Sequence, residues 1–356
     1  MKIIITSPSL NPEENVSGIS SVTQFIISNN KDVEYIHFKV GKKDTESGGK
    51  LCRIRRIWRN RVEWKRLLRR HPDAVIHYNM PLMGAAVIRD YLLLQVAHQH
   101  KLPIVLHVHG GSYMKNRQRP WLVQRLITKV FSWAKHLIVL SDEEKRIVEE
   151  DFKVDNVYSL PNCIDLSEAR GYKRNFDNNR PLSILYIGRI EKNKGIDYMF
   201  EAAKCLKADG VPFTLHFAGK EETEGEYIPQ FQTELGDSFI YHGVVFGKGK
   251  NDLLKQCDVF LLPSFYEGLP MSLIETMSFG MVPVVTNVGS ISSVVTDKQN
   301  GLFVKVKDSD SIVTVIKALS THRDLLASLS ASAQETILFL FDDRAYIDKL
   351  NKLYKN

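Results

Sequence analysis

Between Pro263 and Gly280 the chain reads PSFYEGLPMSLIETMSFG, with Glu267 eight residues before Glu275 and Gly268-Leu269-Pro270 directly after the first acid. The apolar run Asp258 to Leu262 predicts a buried strand, and Met271 to Phe279 predicts a helix closed by Gly280. A strand, a glycine-bearing loop and a helix start make a phosphate site. The free N–H groups of the helix's first turn and the positive end of its dipole favour a diphosphate. Such a ligand needs cations. The sequence offers them as Gly188-Arg189 and Lys194-Gly195, after the apolar run Leu182 to Ile187 and before a helix from Ile196 to Asp209. Ile196, Met199, Phe200, Ala203 and Leu206 give that helix an apolar stripe, so its N-terminus points to the carboxyl edge of a sheet, where open α/β sheets bind ligands.

The elements that must hold these residues follow a repeated plan. In the first half, β-rich runs at Lys2 to Thr6, Glu34 to Phe38, Ala74 to Tyr78, Pro103 to His109 and Leu137 to Leu140 alternate with amphipathic stretches. The second half repeats this with Leu182 to Ile187, Phe213 to Ala218, Phe239 to Tyr241, Asp258 to Leu262 and Val282 to Thr286. Alternation of this kind predicts parallel sheets covered by helices. A length of 356 residues suits two domains, and 44% hydrophobic with 25% charged residues is the composition of a soluble globular protein. Ser141 opens a capping box with Glu144. The polar stretch Gly171 to Arg180 lacks an apolar period and reads as an interdomain linker. No apolar run approaches the roughly 18 residues needed to cross a bilayer, and the N-terminus reads as a first strand rather than a secretory segment. Cys52, Cys163, Cys205 and Cys257 contain no C-x-x-C pair, which suggests neither zinc nor a disulfide framework and makes a reducing cytoplasm the expected compartment.

The phrase PSFYEGLPMSLIE, followed by Gly280-Met-Val-Pro-Val-Val285 and Asn287-Val-Gly289, resembles the signature of the retaining GT-B glycosyltransferases of family 4. The resemblance covers nearly the whole chain. It implies an α/β fold of GT-B type, two Rossmann-like domains with parallel sheets facing across a cleft. Residues 1–170 would form the acceptor domain and 171–341 the nucleotide-sugar donor domain, with the terminal helix, 342–356, packed back on the first. Arg189 and Lys194 would meet the diphosphate, Glu275 the ribose hydroxyls, and Glu267 the donor sugar. The backbone of Gly268, Leu269, Pro270, Met271 and Ser272 would hold the distal phosphate and sugar hydroxyls. In the first half His107 and His109 end a strand on one face. The resemblance singles out His109 as a contact to the donor sugar, donating to a hydroxyl or carbonyl. Gly18, in Ser17-Gly18-Ile19-Ser20, matches a glycine loop that approaches the diphosphate. The family's hinge phrase has glycine where this chain has Cys163, which would enter a left-handed conformation at greater cost. Neither metal nor cofactor is expected, and Asp308-Ser-Asp310 reads as a helix N-cap rather than a metal motif.

The reaction so implied moves a hexose or N-acetylhexosamine from a nucleotide diphosphate sugar, UDP favoured, to a hydroxyl of a saccharide or lipid-linked acceptor in bacterial surface polysaccharide assembly. Retention would come from double displacement, for which the sequence identifies no nucleophile, or from the front-face route favoured for the family. There the leaving phosphate takes the acceptor's proton while Arg189 and Lys194 stabilise it. A sugar-nucleotide epimerase of the same architecture and a non-catalytic nucleotide-sugar-binding protein are the rivals. A nicotinamide dehydrogenase lacks its G-x-G-x-x-G.

The net charge of +7 divides unevenly, +11 over residues 1–175 and −4 over the rest. Lys50 to Arg70 alone holds ten Lys/Arg and one acid, Glu63. No nucleic-acid reader motif accompanies this charge, so an anionic membrane surface or a diphosphate-linked acceptor is the expected partner. On a helical wheel Ile54, Ile57, Trp58, Val62, Trp64 and Leu68 share one arc, which also holds Arg61 and Lys65, with Arg55, Arg59, Arg66 and Arg70 opposite. The other reading of the segment is a helix packed on the first sheet with a solvated basic face.

Overall fold

Runs of Ile, Val, Leu and Phe that are buried on both faces form two all-parallel sheets, as expected where helices cover each side. A computed structural model describes the chain apart from residues 12, 13, 16, 42–49, 116–118, 177–179 and 224, and leaves out the side chains of residues 50, 51, 53 and 115. The first sheet contains β1 (Lys2–Ser7), β2 (Glu34–Lys39), β3 (Val75–Met80), β4 (Ile104–Val108), β5 (His136–Val139) and β6 (Val157–Ser159), in the order β2-β1-β3-β4-β5-β6. The second contains β7 (Leu182–Ile187), β8 (Phe213–Ala218), β9 (Phe239–Tyr241), β10 (Val259–Leu262), β11 (Val282–Thr286) and β12 (Leu302–Val304), in the order β12-β11-β10-β7-β8-β9. The short edge strands β6 and β12 went unread in the sequence, because three residues show no period. In each sheet the order reverses beside the first strand, between β1 and β3 and between β7 and β10. Crevices at such switch points, outside the carboxyl ends of the strands, are the ligand positions of open α/β sheets.

The chain divides into two compact units, Met1–Asp165 with Asp342–Asn356, and Leu166–Phe341. The terminal helix Asp343–Lys355 belongs to the first unit through side chains: Asn30 Nδ2 donates to Asn351 Oδ1 at 2.7 Å, and Tyr354 OH lies 2.6 Å from His77 Nδ1. The division falls five residues before the expected 170/171. Glu168 explains the shift, because it accepts from Asn251 at 3.0 Å and Lys255 at 2.7 Å and so ties the helix Ser167–Arg170 to the second unit.

The linker reading of Gly171 to Arg180 is corrected as well. Arg174, 3% exposed, donates to the carbonyls of Leu254, Cys257 and Phe279, and Tyr172 OH donates to that of Lys255. A buried guanidinium that satisfies several carbonyls is structural. Residues 177–179 of that stretch lie outside the described residues. Cys163 is buried, and it is absent from the non-glycine residues with positive φ, which are Lys101, Lys153, Lys298 and Lys307. The hinge therefore does not require the conformation that only glycine takes cheaply.

The basic segment is one helix, Lys50–Arg70, and the structure splits its apolar arc in two. Trp64 and Leu68 are buried, with the Trp64 ring 4.7 Å from that of Phe38 and its Nε1 donating to the Leu93 carbonyl at 3.0 Å. Ile54, Trp58 and Val62, spaced four apart, are exposed on the other half. Arg61 lies over the Trp58 ring at 5.6 Å, which accounts for a cation inside the arc. Among the described residues no helix is long and apolar enough to cross a membrane.

Candidate active site

The loop from Pro263 to Pro270 leaves β10 at the β7/β10 switch point and leads into the helix Met271–Ser278. Neighbouring loops hold it on both flanks, and on each flank a glycine makes the approach possible. Gly195, at φ +77°, packs on Pro263, where an added Cβ would stand 2.3 Å from the carbonyl oxygen; Phe265 N donates to the Asn193 carbonyl at 3.0 Å. On the other side Gly289, at φ +62°, packs on Glu267, where a Cβ would stand 2.0 Å from the carbonyl oxygen. Ser290 N donates to the Gly268 carbonyl at 3.0 Å, and Thr286 Oγ1 to that of Ser264 at 2.5 Å. The backbone is thus fixed before any ligand arrives, as a preorganised site requires.

This frame turns the Glu267 carboxylate toward Lys194. Lys194 Nζ and Ser264 Oγ both donate to Glu267 Oε1 at 2.7 Å, and Glu267 is 8% exposed. Lys194 sits in the turn Lys192–Lys194, just before the helix Ile196–Ala208, whose residues Ile196, Met199, Ala203 and Leu206 are buried. Arg189 is exposed directly after β7, with its carbonyl bound by the Tyr186 hydroxyl. Burial pushes the Tyr186 phenol well above its usual range, and the negative charges of Glu267 and Glu191 add to this. Glu191 is itself raised by burial, against the pull of Lys194 and Arg189. The second acid is paired too: Lys250 Nζ donates to Glu275 Oε1 at 2.8 Å. Pro270 precedes the helix Met271–Ser278, and no side chain caps that terminus. Leu273 N and Ile274 N donate back to the Pro270 carbonyl, which leaves the N–H groups of Met271 and Ser272, with the positive end of the dipole, to meet a ligand.

In the first unit, Gly18 is exposed and opens the helix Gly18–Asn29 after β1. His109 follows β4, and its Nε2 lies 2.7 Å from Asn79 Oδ1 on β3. The His107 ring stands 4.1 Å from that of His109, on the same face. Behind it His77 Nε2 lies 3.3 Å from His107 Nδ1. Burial lowers all three imidazoles, His77 to about 4 and His109 to about 3, with His77 adding to the shift of His109. Among the described residues no group of three or more His, Cys, Asp or Glu is arranged to hold a metal ion. Asp308 caps the helix Ser309–Thr321 by accepting from Ser311 N at 2.9 Å, as its N-cap reading requires.

Residues 172–336 match the family described as Glycosyl transferases group 1, and residues 28–168 match Glycosyltransferase Family 4. The chain belongs to the GT-B glycosyltransferases of family 4. Among curated relatives of this glycosyltransferase, the Escherichia coli UDP-Gal:alpha-D-GlcNAc-diphosphoundecaprenol alpha-1,3-galactosyltransferase is 24% identical over 71% of this chain and 69% of its own length. Two solved structures share its fold over nearly their full lengths. Sucrose-phosphate synthase from Thermosynechococcus elongatus superposes with a TM-score of 0.76 at 16% identity, covering 99% of this chain and 98% of the other. Anabaena HepE in complex with UDP-glucose gives 0.75 at 15% identity, with the same coverage. The expected α/β architecture of two Rossmann-like domains is therefore the one found, and the protein is an enzyme.

Of the residues singled out in the sequence, Glu267, Lys194, Gly268, Leu269, Pro270, Met271, Ser272 and Glu275 gather around one loop of the second unit, with Arg189 on the adjacent strand end. Gly18 and His109 stand after strands of the first unit. Sequence reasoning missed Ser264 and Lys250, and did not see Asn79 as the partner of His109. Gly247-Lys-Gly-Lys250 at a helix start was a visible signal, but a partner 25 residues on is supplied only by the fold.

Proposed function

We propose that this glycosyltransferase transfers a hexose or N-acetylhexosamine from a nucleotide diphosphate sugar, with UDP favoured, to a hydroxyl of a saccharide or lipid-linked acceptor. The transfer retains anomeric configuration and serves bacterial surface polysaccharide assembly. The observation that carries the reading is the Lys194–Glu267 pair, 2.7 Å apart beside the uncapped helix Met271–Ser278 at a topological switch point. Lys194 and Arg189 meet the diphosphate and stabilise the charge that builds on the leaving oxygen as the glycosidic bond breaks. Glu267 positions the donor sugar, Glu275 accepts from the ribose, and the backbone of Gly268 to Ser272 holds the distal phosphate. Gly18 approaches the diphosphate and His109 the sugar.

With two cations and a helix N-terminus at the diphosphate, the site needs no metal, so EDTA leaves the rate unchanged. The leaving phosphate takes the acceptor proton in a front-face transfer. Two facts support the finer parts: the Escherichia coli relative is named for UDP-Gal, a diphosphoundecaprenol acceptor and an α-1,3 product, and HepE was solved with UDP-glucose. An α product from an α-linked sugar nucleotide is retention. The epimerase and binding-protein rivals lack such support.

The same reading makes an anionic membrane surface, on its cytoplasmic side, the partner of the helix Lys50–Arg70, since Ile54, Trp58 and Val62 lie exposed among its cations. A panel of UDP- and GDP-sugars tests the donor by calorimetry, and proton NMR of the new linkage reads its configuration. Tighter binding of GDP-sugars, or an inverted linkage, rejects the corresponding part.

A further inference from the structure

Asn79 is 5% exposed on β3, and its neighbours fix which way its amide points. Nδ2 donates to the Thr6 carbonyl at 2.7 Å and to Thr23 Oγ1 at 3.1 Å. Thr23 Oγ1 spends its own proton on the Ile19 carbonyl at 2.8 Å, so it meets Nδ2 with a lone pair. A flipped amide would set Oδ1 against the Thr6 carbonyl, acceptor against acceptor. Oδ1 is therefore the atom 2.7 Å from His109 Nε2. An amide oxygen only accepts, so Nε2 carries the proton. Rotating the imidazole half a turn would place a carbon against Oδ1 and lose the bond.

The ring is neutral at pH 7, because burial pushes its pKa down to about 3. A neutral imidazole protonated on Nε2 has a bare lone pair on Nδ1. No hydrogen bond to His109 Nδ1 occurs among the described residues.

We infer that Asn79 is a positioning residue for the transfer, locking His109 as its Nε2–H tautomer so that Nδ1 accepts a hydrogen bond from a hydroxyl of the donor sugar. The inference rests on the proposed contact between His109 and that sugar, and it reverses the donating role expected from the sequence. It also narrows the ligand. A bare Nδ1 meets an O–H or N–H donor and rejects a carbonyl oxygen, so the sugar turns a hydroxyl, and never an acetamido carbonyl, toward His109. Asn79 acts on His109 as an outer partner acts on a metal-bound imidazole, setting the far nitrogen's role by what it offers the near one.

Long-range proton–nitrogen NMR of the uniformly 15N-labelled enzyme without substrate reads the tautomer, with the His109 signals assigned by their loss in His109→Gln. The wild type shows Nε2 protonated and Nδ1 bare, and Asn79→Ala shows a mixture of tautomers. Asn79→Ser, whose hydroxyl both donates and accepts and whose backbone N–H still reaches Thr6, gives the same mixture if the alanine variant folds poorly. Binding of UDP-galactose and UDP-glucose and of their monodeoxy analogues reads the consequence. Deletion of one sugar hydroxyl weakens wild-type binding by about 5- to 10-fold, the worth of one hydrogen bond, and weakens it by less in Asn79→Ala, where only part of the population offers a bare Nδ1. A proton on Nδ1 in the wild type, or an unchanged tautomer and unchanged discrimination in both Asn79 variants, overturns the inference. If His109→Gln binds the donors as well as the wild type does, the donor-sugar contact itself fails. If His109→Gln alone loses discrimination, only the positioning role of Asn79 falls.

Discussion

Replacing Gly289 by alanine tests whether the site depends on where the Glu267 loop sits rather than on its residue types alone. An alanine Cβ would stand 2.0 Å from the Glu267 carbonyl oxygen and 3.0 Å from that of Gly268, where ordinary contact begins at 3.4 Å. The loop must therefore retreat by about 1.4 Å, and a misplacement of roughly 1 Å can cost about 100-fold in rate. Gly289 is exposed, and alanine at φ +62° adds only a left-handed strain of about 1–2 kcal/mol, so the fold survives. The expected variant has kcat/KM down about 100-fold, with melting shifted by a few degrees. Gly171→Ala is the control, since nothing lies within 4 Å of its added Cβ and its φ is ordinary. Activity in Gly289→Ala within a few-fold of the wild type would show that the loop's position is not what the site requires.

Lys194→Ala and Glu267→Ala should each lower transfer by at least ~100-fold in protein that still folds, because each removes one side of a single ion pair and leaves the core strands intact; near-normal turnover in either folded variant sinks the site. Stability should fall on acidification. His77 and His109 are neutral in the fold, with pKa values of about 4 and 3, and take a proton near 6.5 when unfolded. Their contribution is thus complete above pH 6.5 and lost as pH drops toward those values, about 2 kcal/mol for each by pH 5, which urea midpoints at pH 7.5 and 5 will register; equal midpoints contradict it. Liposomes carrying anionic lipid should sediment the enzyme and release it in salt, with binding weakened by Trp58→Ser or by Arg55, Arg59 and Arg66 changed to Gln. Equal binding to neutral vesicles, or no effect of these changes, removes the membrane partner.

Much of this architecture was legible because parallel strands are apolar along their whole length and the connecting helices show a period of 3.6. Ten strands could be read from such runs. The two that escaped, β6 and β12, are edge strands of three residues held by register with β5 and β11, which is information from pairing rather than from their own composition. The supposed linker misled for a related reason. Asn, Arg and Asp without apolar period usually mean solvent, but Arg174 is polar because the carbonyls it caps are polar. A segment that satisfies buried backbone reads like one that faces water. The basic helix misled through its arc, since a wheel shows where apolar residues cluster and not how wide a strip the sheet covers. Trp64 and Leu68 fall under cover, while Ile54 and Trp58 do not.

The site shows the same boundary more sharply. Glu267, Glu275, Arg189 and Lys194 were legible as chemical types near strand ends, because a diphosphate imposes charge and an open sheet imposes place. Their partners were not, because a hydrogen bond is specified by distance and a sequence specifies only order. Ser264 lies three residues before Glu267, yet nothing local distinguishes it from a serine facing water until Lys194 arrives at the same oxygen. Lys250 reaches Glu275 from another helix. Asn79 meets His109 because β3 and β4 pair with Asn79 opposite His107, which brings His109, two residues on, within reach of the amide. The sequence could name His109 as a polar contact and read it as a donor. Under the inferred tautomer its role is set by Asn79, itself held by Thr6 and Thr23, two contacts from the imidazole.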